Sequence, residues 1–198
     1  MAEKEKEEDP LDRFRTLMDR ARGAGEPDPT ALVLVTAAGD RPSARYVLLK
    51  GVDAAGFVFF TNYGSQKAAD IAGNPRAAMC FFWPRIGTEV RVQGGVERVT
   101  PQESDAYFAT RVRARQLGAW ASKQSTTLRW RPWLIVRWLG LAGRFFGRRV
   151  ARPPFWGGFR LLPETIEFVG WDPGGRCEQT TCTRTAAGWS EETTITWR

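Results

Sequence analysis

The stretch RYVLLKGVDAAGFVFFTNYGSQKAAD, residues 45–70, sets Arg45 and Lys50 at the two ends of an apolar run. It then gathers Thr61, Ser65 and Lys67 where the next apolar run stops. Strand interiors rarely hold charge, because an ion taken out of water without a partner is costly. Strand ends face solvent or a ligand, so cations and hydroxyls collected there read as donors converging on an anion. A second set lies in YFATRVRAR, where Tyr107 and Arg111 are four apart and share one face of a helix. The competing reading of both sets is a solvated surface charge.

Composition narrows the chemistry. The 198 residues carry a formal net charge of +7, with a pI near 9.8. That excess reads either as an arginine-rich coding bias or as a preference for anionic ligands such as phosphates, nucleic acid or acidic lipid. Histidine is absent. Imidazole acid–base chemistry, Ser-His-Asp triads and histidine-ligated metals are therefore excluded. Cys80, Cys177 and Cys182 form no CxxC pair, so no metal site is expected, and an odd count without a secretory signal fits a reducing cytoplasm. The opening MAEKEKEEDP is charged throughout, unlike a signal peptide or membrane anchor. Residues 1–9 are expected to be a disordered acidic tail, and 10–198 a single domain.

The elements that must position these groups are legible from pattern. Asp9 and Pro10 open a helix whose stripe is Leu11, Phe14, Leu17 and Met18. ALVLVTA, SARYVLLKGV and FVFFTN are β-branched and aromatic runs separated by Gly and Asp turns, the signature of antiparallel hairpins. SQKAADIAGNP predicts a short helix with Ser65 as N-cap. AAMCFFW and EVRVQGGVERV form another strand pair, with a bulge at Gly94-Gly95. TPQESDAYFATRV carries a capping box from Thr100 to Glu103. A basic, tryptophan-rich helix is expected over 128–150, with Leu134, Trp138, Leu141 and Phe145 at helical spacing. The tail returns to strands with a hairpin at Ala187-Gly188. Six or seven short strands with a few helices predict an α+β fold around a small closed barrel.

The order of these motifs resembles the pyridoxamine 5'-phosphate oxidase family, FMN enzymes built on a split β-barrel. The likeness runs from about Pro29 onward, through RYVLLK, GFVFFTNYGSQKA, NPRAAMCFFW, YFATRVRARQLGAWASKQS, FWGGFRLLPETIEF and the last hairpin. It implies that Arg45 and Lys67 neutralise the FMN phosphate and that Thr61 and the backbone after Phe60 donate to it or to the ribityl chain. Tyr46, Val47, Leu48, Gln66 and Glu89 fall at further FMN-contacting positions. Lys50 sits where the family's lysine faces both flavin and substrate. Gln124 and Ser125 match residues that reach FMN from the partner subunit of a homodimer. For such a dimer a free barrel edge and the apolar AMCFFW strand are the expected surface. Lys50, Tyr107 and Arg111 fall at the substrate-phosphate positions, with Arg115 and, later in the chain, Arg176 and Glu178 beside them. The implied reaction is hydride transfer from a small anionic aromatic substrate, such as pyridoxine or pyridoxamine 5'-phosphate, to flavin N5, with dioxygen as reoxidant.

The chain also departs from that pattern. Gln66 replaces a common arginine, Arg115 a serine and Val112 a proline. RCEQT stands where the family has RLHDR, which puts Glu178 at the histidine's place and Thr180 at the final arginine's. Val169 replaces a tryptophan, with Trp171 two positions on. Glu89 replaces a glutamine at the flavin edge, where a carboxylate opposes reduced FMN unless it is paired with Arg91 or Arg176. These changes gather at the substrate face. They raise the alternatives of an FMN oxidoreductase of specialised metabolism with a non-pyridoxyl substrate, or a non-catalytic flavin-binding protein. Membrane contact through 129–152 is a lesser reading, and no nucleic-acid motif is present.

Overall fold

The computed structural model describes residues 8–121, 139–141, 143–172 and 174–197. In chain order the elements are α1 (Pro10–Gly23), β1 (Ala31–Ala38), β2 (Arg41–Val52), β3 (Phe57–Asn62), α2 (Gln66–Gly73), β4 (Arg76–Trp83) and β5 (Thr88–Arg98). They continue with α3 (Pro101–Thr110), α4 (Arg113–Ala121), β6 (Trp156–Trp171), β7 (Arg176–Thr185) and β8 (Gly188–Trp197). The sheet runs β3-β2-β1-β4-β5-β6-β7-β8, every pairing antiparallel. A further pairing of β3 with β6 closes its first six strands into a barrel. The β7–β8 hairpin extends from the barrel through the second half of β6. Among the described residues no helix is long and apolar enough to cross a membrane.

Alternation along the strands supplies the core. Leu32, Leu34, Phe57, Phe59, Met79, Phe81, Trp83, Val90, Val92 and Leu161 all point inward and are buried. Helix α1 is capped by the Asp9 carboxylate, which accepts from the Leu11 amide at 2.8 Å. It delivers Phe14 edge-on to Phe57 and Phe81, with ring centroids 4.9 and 4.8 Å away. Such edge contacts add to the gain from burying the rings themselves.

Strand β6 passes through Pro163 without a break. The register between β5 and β6 shifts between Gln93 and Gly94, where the backbone carbonyl of Leu162 occupies the space of a Cβ on Gly94. The expected bulge is therefore real, and glycine is required there by close approach of another backbone.

Two expectations need correction, and a third holds in position only. The helix containing Tyr107 stops at Thr110, Arg111 is extended with φ −70° and ψ 140°, and α4 begins at Arg113. Arg111 thus leaves the helix that carries Tyr107. Ser65 occupies the N-cap position of α2 without a side-chain cap bond. The barrel has no free edge, since β4, the AMCFFW strand, is paired on both sides by β1 and β5. Its alternation buries Met79, Phe81 and Trp83 and leaves Phe82 exposed. Of the expected helix over 128–150, Leu134 and Trp138 lie outside the described residues.

The capping box at α3 is formed in full. The Glu103 amide donates to Thr100 Oγ1 at 3.2 Å, and the Glu103 carboxylate accepts from the Thr100 amide at 2.8 Å. The Thr100 hydroxyl, the Thr100 amide and Arg160 together hold the Glu103 carboxyl down to about 2. A carboxyl lowered on folding contributes stability above its ordinary pKa of 4.5 and loses it as the pH falls through the folded value. Glu103→Gln should lower Tm by roughly 2–4 °C at neutral pH, as expected for a cap worth about 1 kcal/mol. The gap should close between about pH 4.5 and pH 2 in a pH series of thermal melts. A gap that persists at pH 2 would show that the charge is irrelevant.

Candidate functional site

Two groups of cations form at adjoining parts of the barrel. Arg45 and Lys50 are five apart on β2, and alternation sends them to different faces. Arg45, Val47 and Leu49 turn toward the interior, while Tyr46, Leu48 and Lys50 turn outward, Lys50 only partly desolvated by its neighbours. The two ends of the RYVLLK strand therefore serve different sites.

The first group joins Arg45 to the β3–α2 turn. Arg45 Nη1 donates to Thr36 Oγ1 on β1 at 2.6 Å, and Nη2 to Ser43 Oγ at 2.6 Å. The Lys67 ammonium reaches Thr61 Oγ1 at 3.4 Å, and Thr61 and Ser65 are both buried with their hydroxyls 3.5 Å apart. Burial lowers the Lys67 pKa, and neighbouring Arg45 lowers it further. Asp70, buried in α2, opposes this. Gln66 donates to Asp70 Oδ1 at 2.7 Å. Two cations, two hydroxyls and the first-turn amides of a helix suit a phosphate, because they match its charge and supply the hydrogen bonds it loses on leaving water.

The second group is built on an aromatic wall. Phe60 stacks on Tyr107 with centroids 4.1 Å apart and planes 14° from parallel, and on Trp156 at 5.3 Å and 10°. Gly158 permits this, and Gly157 makes room for Tyr63. In the closing register they lie opposite Thr61 and Phe60. A Cβ on Gly158 would meet the Phe60 ring at 2.8 Å, and one on Gly157 would overlap the Tyr63 hydroxyl. Arg111 lies over Trp156, its guanidinium carbon 4.8 Å from the ring centroid. Arg111 Nη1 is buried and has no hydrogen-bond partner among the described residues. Burial lowers the Arg111 pKa and raises that of Tyr107. Lys50 is also lowered, first by burial and then by the fields of Arg115 and Arg111 against a raising Asp28. A cavity of about 370 Å³ opens beside these groups, lined by Asn62, Arg111, Ala114, Arg115, Gly118 and Trp156 among others. A buried guanidinium N–H with no acceptor, among further cations, calls for an anion.

The remaining expected residues lie elsewhere. Arg176 and Glu178 are exposed on β7, with Nη2 and Oε2 3.6 Å apart. They line a separate cavity of about 330 Å³ with Arg13, Thr88, Trp171 and Thr180, and it shares no wall with the one at Arg111. Glu89 on β5 is paired with Arg91, which also reaches Glu167 at 3.3 Å, so of the two candidate partners Arg91 is the one used. The Cys80 thiol points at Glu89 Oε1 from 3.4 Å, and burial, then Glu89, pushes it up to about 11. Gln124 and Ser125 lie outside the described residues. Sequence reasoning did not single out Thr36, Asp70 or Trp156. The FWGGF motif was a signal for Trp156, because paired glycines in a strand mark close approach by something bulky. Thr36 and Asp70 sit in ordinary strand and helix patterns, and only their convergence shows their role.

The pyridoxamine 5'-phosphate oxidase family model matches residues 18–138. The pyridoxine/pyridoxamine 5'-phosphate oxidase of Rubrobacter xylanophilus is 52% identical over 169 residues, covering 85% of this chain and 78% of the relative. The enzyme of the same name from Anaeromyxobacter dehalogenans is 47% identical over 182 residues, covering 91% and 92%. Among solved structures, PhzG from Burkholderia lata, in complex with tetrahydrophenazine-1-carboxylic acid, superposes with a TM-score of 0.89 at 25% identity. The match covers 98% of this chain and 95% of that one. With the split barrel, the phosphate-fitting turn and these relatives in agreement, the chain belongs to the pyridoxamine 5'-phosphate oxidase family, a family of FMN-dependent oxidoreductases.

Proposed function

We propose that the protein oxidises pyridoxine or pyridoxamine 5'-phosphate, with dioxygen as the final acceptor. The observation that carries this reading is the buried Nη1 of Arg111 beside Tyr107, unpartnered among the described residues and within the electrostatic reach of Lys50 and Arg115. The substrate phosphate would take that hydrogen bond, and its charge would offset the desolvation that Arg111 and Lys50 bear. The relatives at 47–52% identity bear the name of this activity.

Arg45, Lys67 and Thr61 hold the FMN phosphate in this reading. FMN supplies the acceptor for the hydride that the substrate gives up. The Phe60–Tyr107–Trp156 wall orients the ring and excludes water, and Lys50, Tyr107 and Arg111 clamp the anionic end. Such a site needs orientation more than a base, which accommodates a chain without histidine.

The working unit is a homodimer. The outer face of β2 and β4 exposes Tyr46 at 81%, Phe82 at 58% and Leu48 at 40%, a broad apolar surface for a soluble chain. The cavity holding Arg176 and Glu178 is separate from that holding Arg111 within one chain, and a second copy could bring them together. Gln124 and Ser125 are assigned to FMN across that interface. Cys80 and Cys177 are free thiols, which suits the cytoplasm.

A second reading has its own support. Glu178 in the histidine's place, the extra cation Arg115 and the likeness to PhzG with its bound aromatic carboxylate favour oxidation of a different anionic ring.

Anaerobic mixing of the yellow protein with pyridoxine 5'-phosphate separates the two. Bleaching of the flavin band supports the first reading, and its absence supports the second. Arg111→Ala should raise KM for the phosphorylated substrate at least about tenfold, the cost of a charged hydrogen bond. An unchanged KM would remove Arg111 from the site. Arg45→Ala and Lys67→Ala should each weaken FMN binding about tenfold or more while leaving riboflavin affinity alike in all three proteins. Equal FMN affinities would refute the phosphate assignment. Light scattering should give twice the chain mass, and Phe82→Glu should weaken the dimer and FMN retention together. A monomer that binds FMN stoichiometrically would overturn the shared site.

A further inference from the structure

The first cation group contains a carboxylate that its proposed ligand does not explain. Asp70 is 3% exposed, on the α2 face turned to the barrel. It accepts from Thr36 Oγ1 at 2.6 Å through Oδ2 and from Gln66 Nε2 at 2.7 Å through Oδ1. Arg45 Nη2 lies 3.5 Å from Oδ2. Thr36 closes the arrangement, since the same hydroxyl that donates to Asp70 accepts from Arg45 Nη1. A buried carboxylate at a proposed anion site is a cost unless it does something for the cations.

We infer that Asp70 is a positioning residue of the phosphate site. It fixes the Arg45 guanidinium through Thr36 and keeps the Lys67 ammonium charged while the site waits for its ligand. The inference rests on the reading that Arg45 and Lys67 hold the FMN phosphate.

The charges around Lys67 support it. Arg45 from β2 acts on Lys67 unfavourably, and Asp70 from α2 acts favourably. Among the described residues, β1 and β3 face this group with the hydroxyls of Thr36 and Thr61. Burial already favours the neutral amine. Without Asp70 the Lys67 ammonium would face one cation and no anion among the described residues, and the amine would lose its proton at lower pH. The site with Asp70 carries a net charge near +1 instead of +2. Its affinity must then come from donors held in place more than from excess charge, which is the economy of preorganisation. Gln66 fits the same logic, since its amide is spent on Asp70.

Asp70→Asn is the informative change. Asparagine keeps the shape, but its NH₂ would confront donors from Gln66 or Arg45 in place of an acceptor. The test is equilibrium dialysis of the full chain against FMN and, separately, against riboflavin, from pH 6 to pH 10. The parent should prefer FMN, and the preference should fall as Lys67 deprotonates. Asp70→Asn should weaken FMN about tenfold, leave riboflavin within about twofold, and move that fall to lower pH. Thr36→Val removes the shared hydroxyl while leaving the charge. It should weaken FMN in the same direction without moving the pH of the fall, and it stands in should Asp70→Asn not fold. FMN affinity that is unchanged or tighter in Asp70→Asn would overturn the inference, leaving Asp70 as an anchor of α2. A parent that binds FMN and riboflavin alike would instead overturn the phosphate reading itself, and this inference with it.

Discussion

Everything in this molecule hangs on one pairing, that of Phe57–Asn62 with Trp156–Leu161. It closes the barrel, and the same residues carry both cation groups. On β3, Phe60 turns to the aromatic wall and Thr61 to Lys67. On β6, Gly157 and Gly158 yield the space that Tyr63 and Phe60 occupy, while Trp156 carries the stack onward to Arg111. A side chain at Gly158 would push against Phe60 of the wall, and one at Gly157 against Tyr63. Closure and site geometry are thus a single requirement placed on a few residues.

The electrostatics follow one pattern. Lys50, Lys67 and Arg111 all have pKa values lowered first by burial. A cation whose folded pKa is lowered costs the fold stability while it is charged, and an anion that binds returns it. The two groups differ in how the cost is met. Near Lys67 an internal carboxylate, Asp70, shares it. At Arg111 an N–H is left without an acceptor among the described residues. The first group is internally paired, and the second keeps a buried donor in reserve. That contrast suits a cofactor that stays and a substrate that leaves.

Most of the architecture was legible because the strands alternate cleanly. FVFFTN emerges as β3 with the bounds read from pattern, and the Thr100–Glu103 box and the Gly94 bulge stand where spacing placed them. The misses have physical causes. The helix pattern around Tyr107 runs on through Arg111, because nothing local marks its end. Arg111 lies outside the helix with its guanidinium over Trp156, a ring distant in sequence. Barrel closure joins strands about a hundred residues apart, and no pattern within either strand states that pairing. Asp70 was invisible for a similar reason, since an aspartate in a short polar helix reads as solvated until Thr36 and Arg45 are brought to it.

The closing strand also has a temporal meaning. β1 to β5 are complete by Arg98, but their last partner begins at Trp156. During synthesis the five-stranded sheet carries two unpaired edges, β3 and β5, while about 58 further residues are added (156 minus 98). At roughly 5–20 residues per second that is an exposure of roughly 3–12 s. Open edges invite strand addition by other chains. β3 is the more vulnerable, since FVFFTN holds no charge to discourage it. The arrangement that gives the finished protein an edgeless barrel therefore makes its nascent chain dependent on rapid arrival of β6, or on shelter until then.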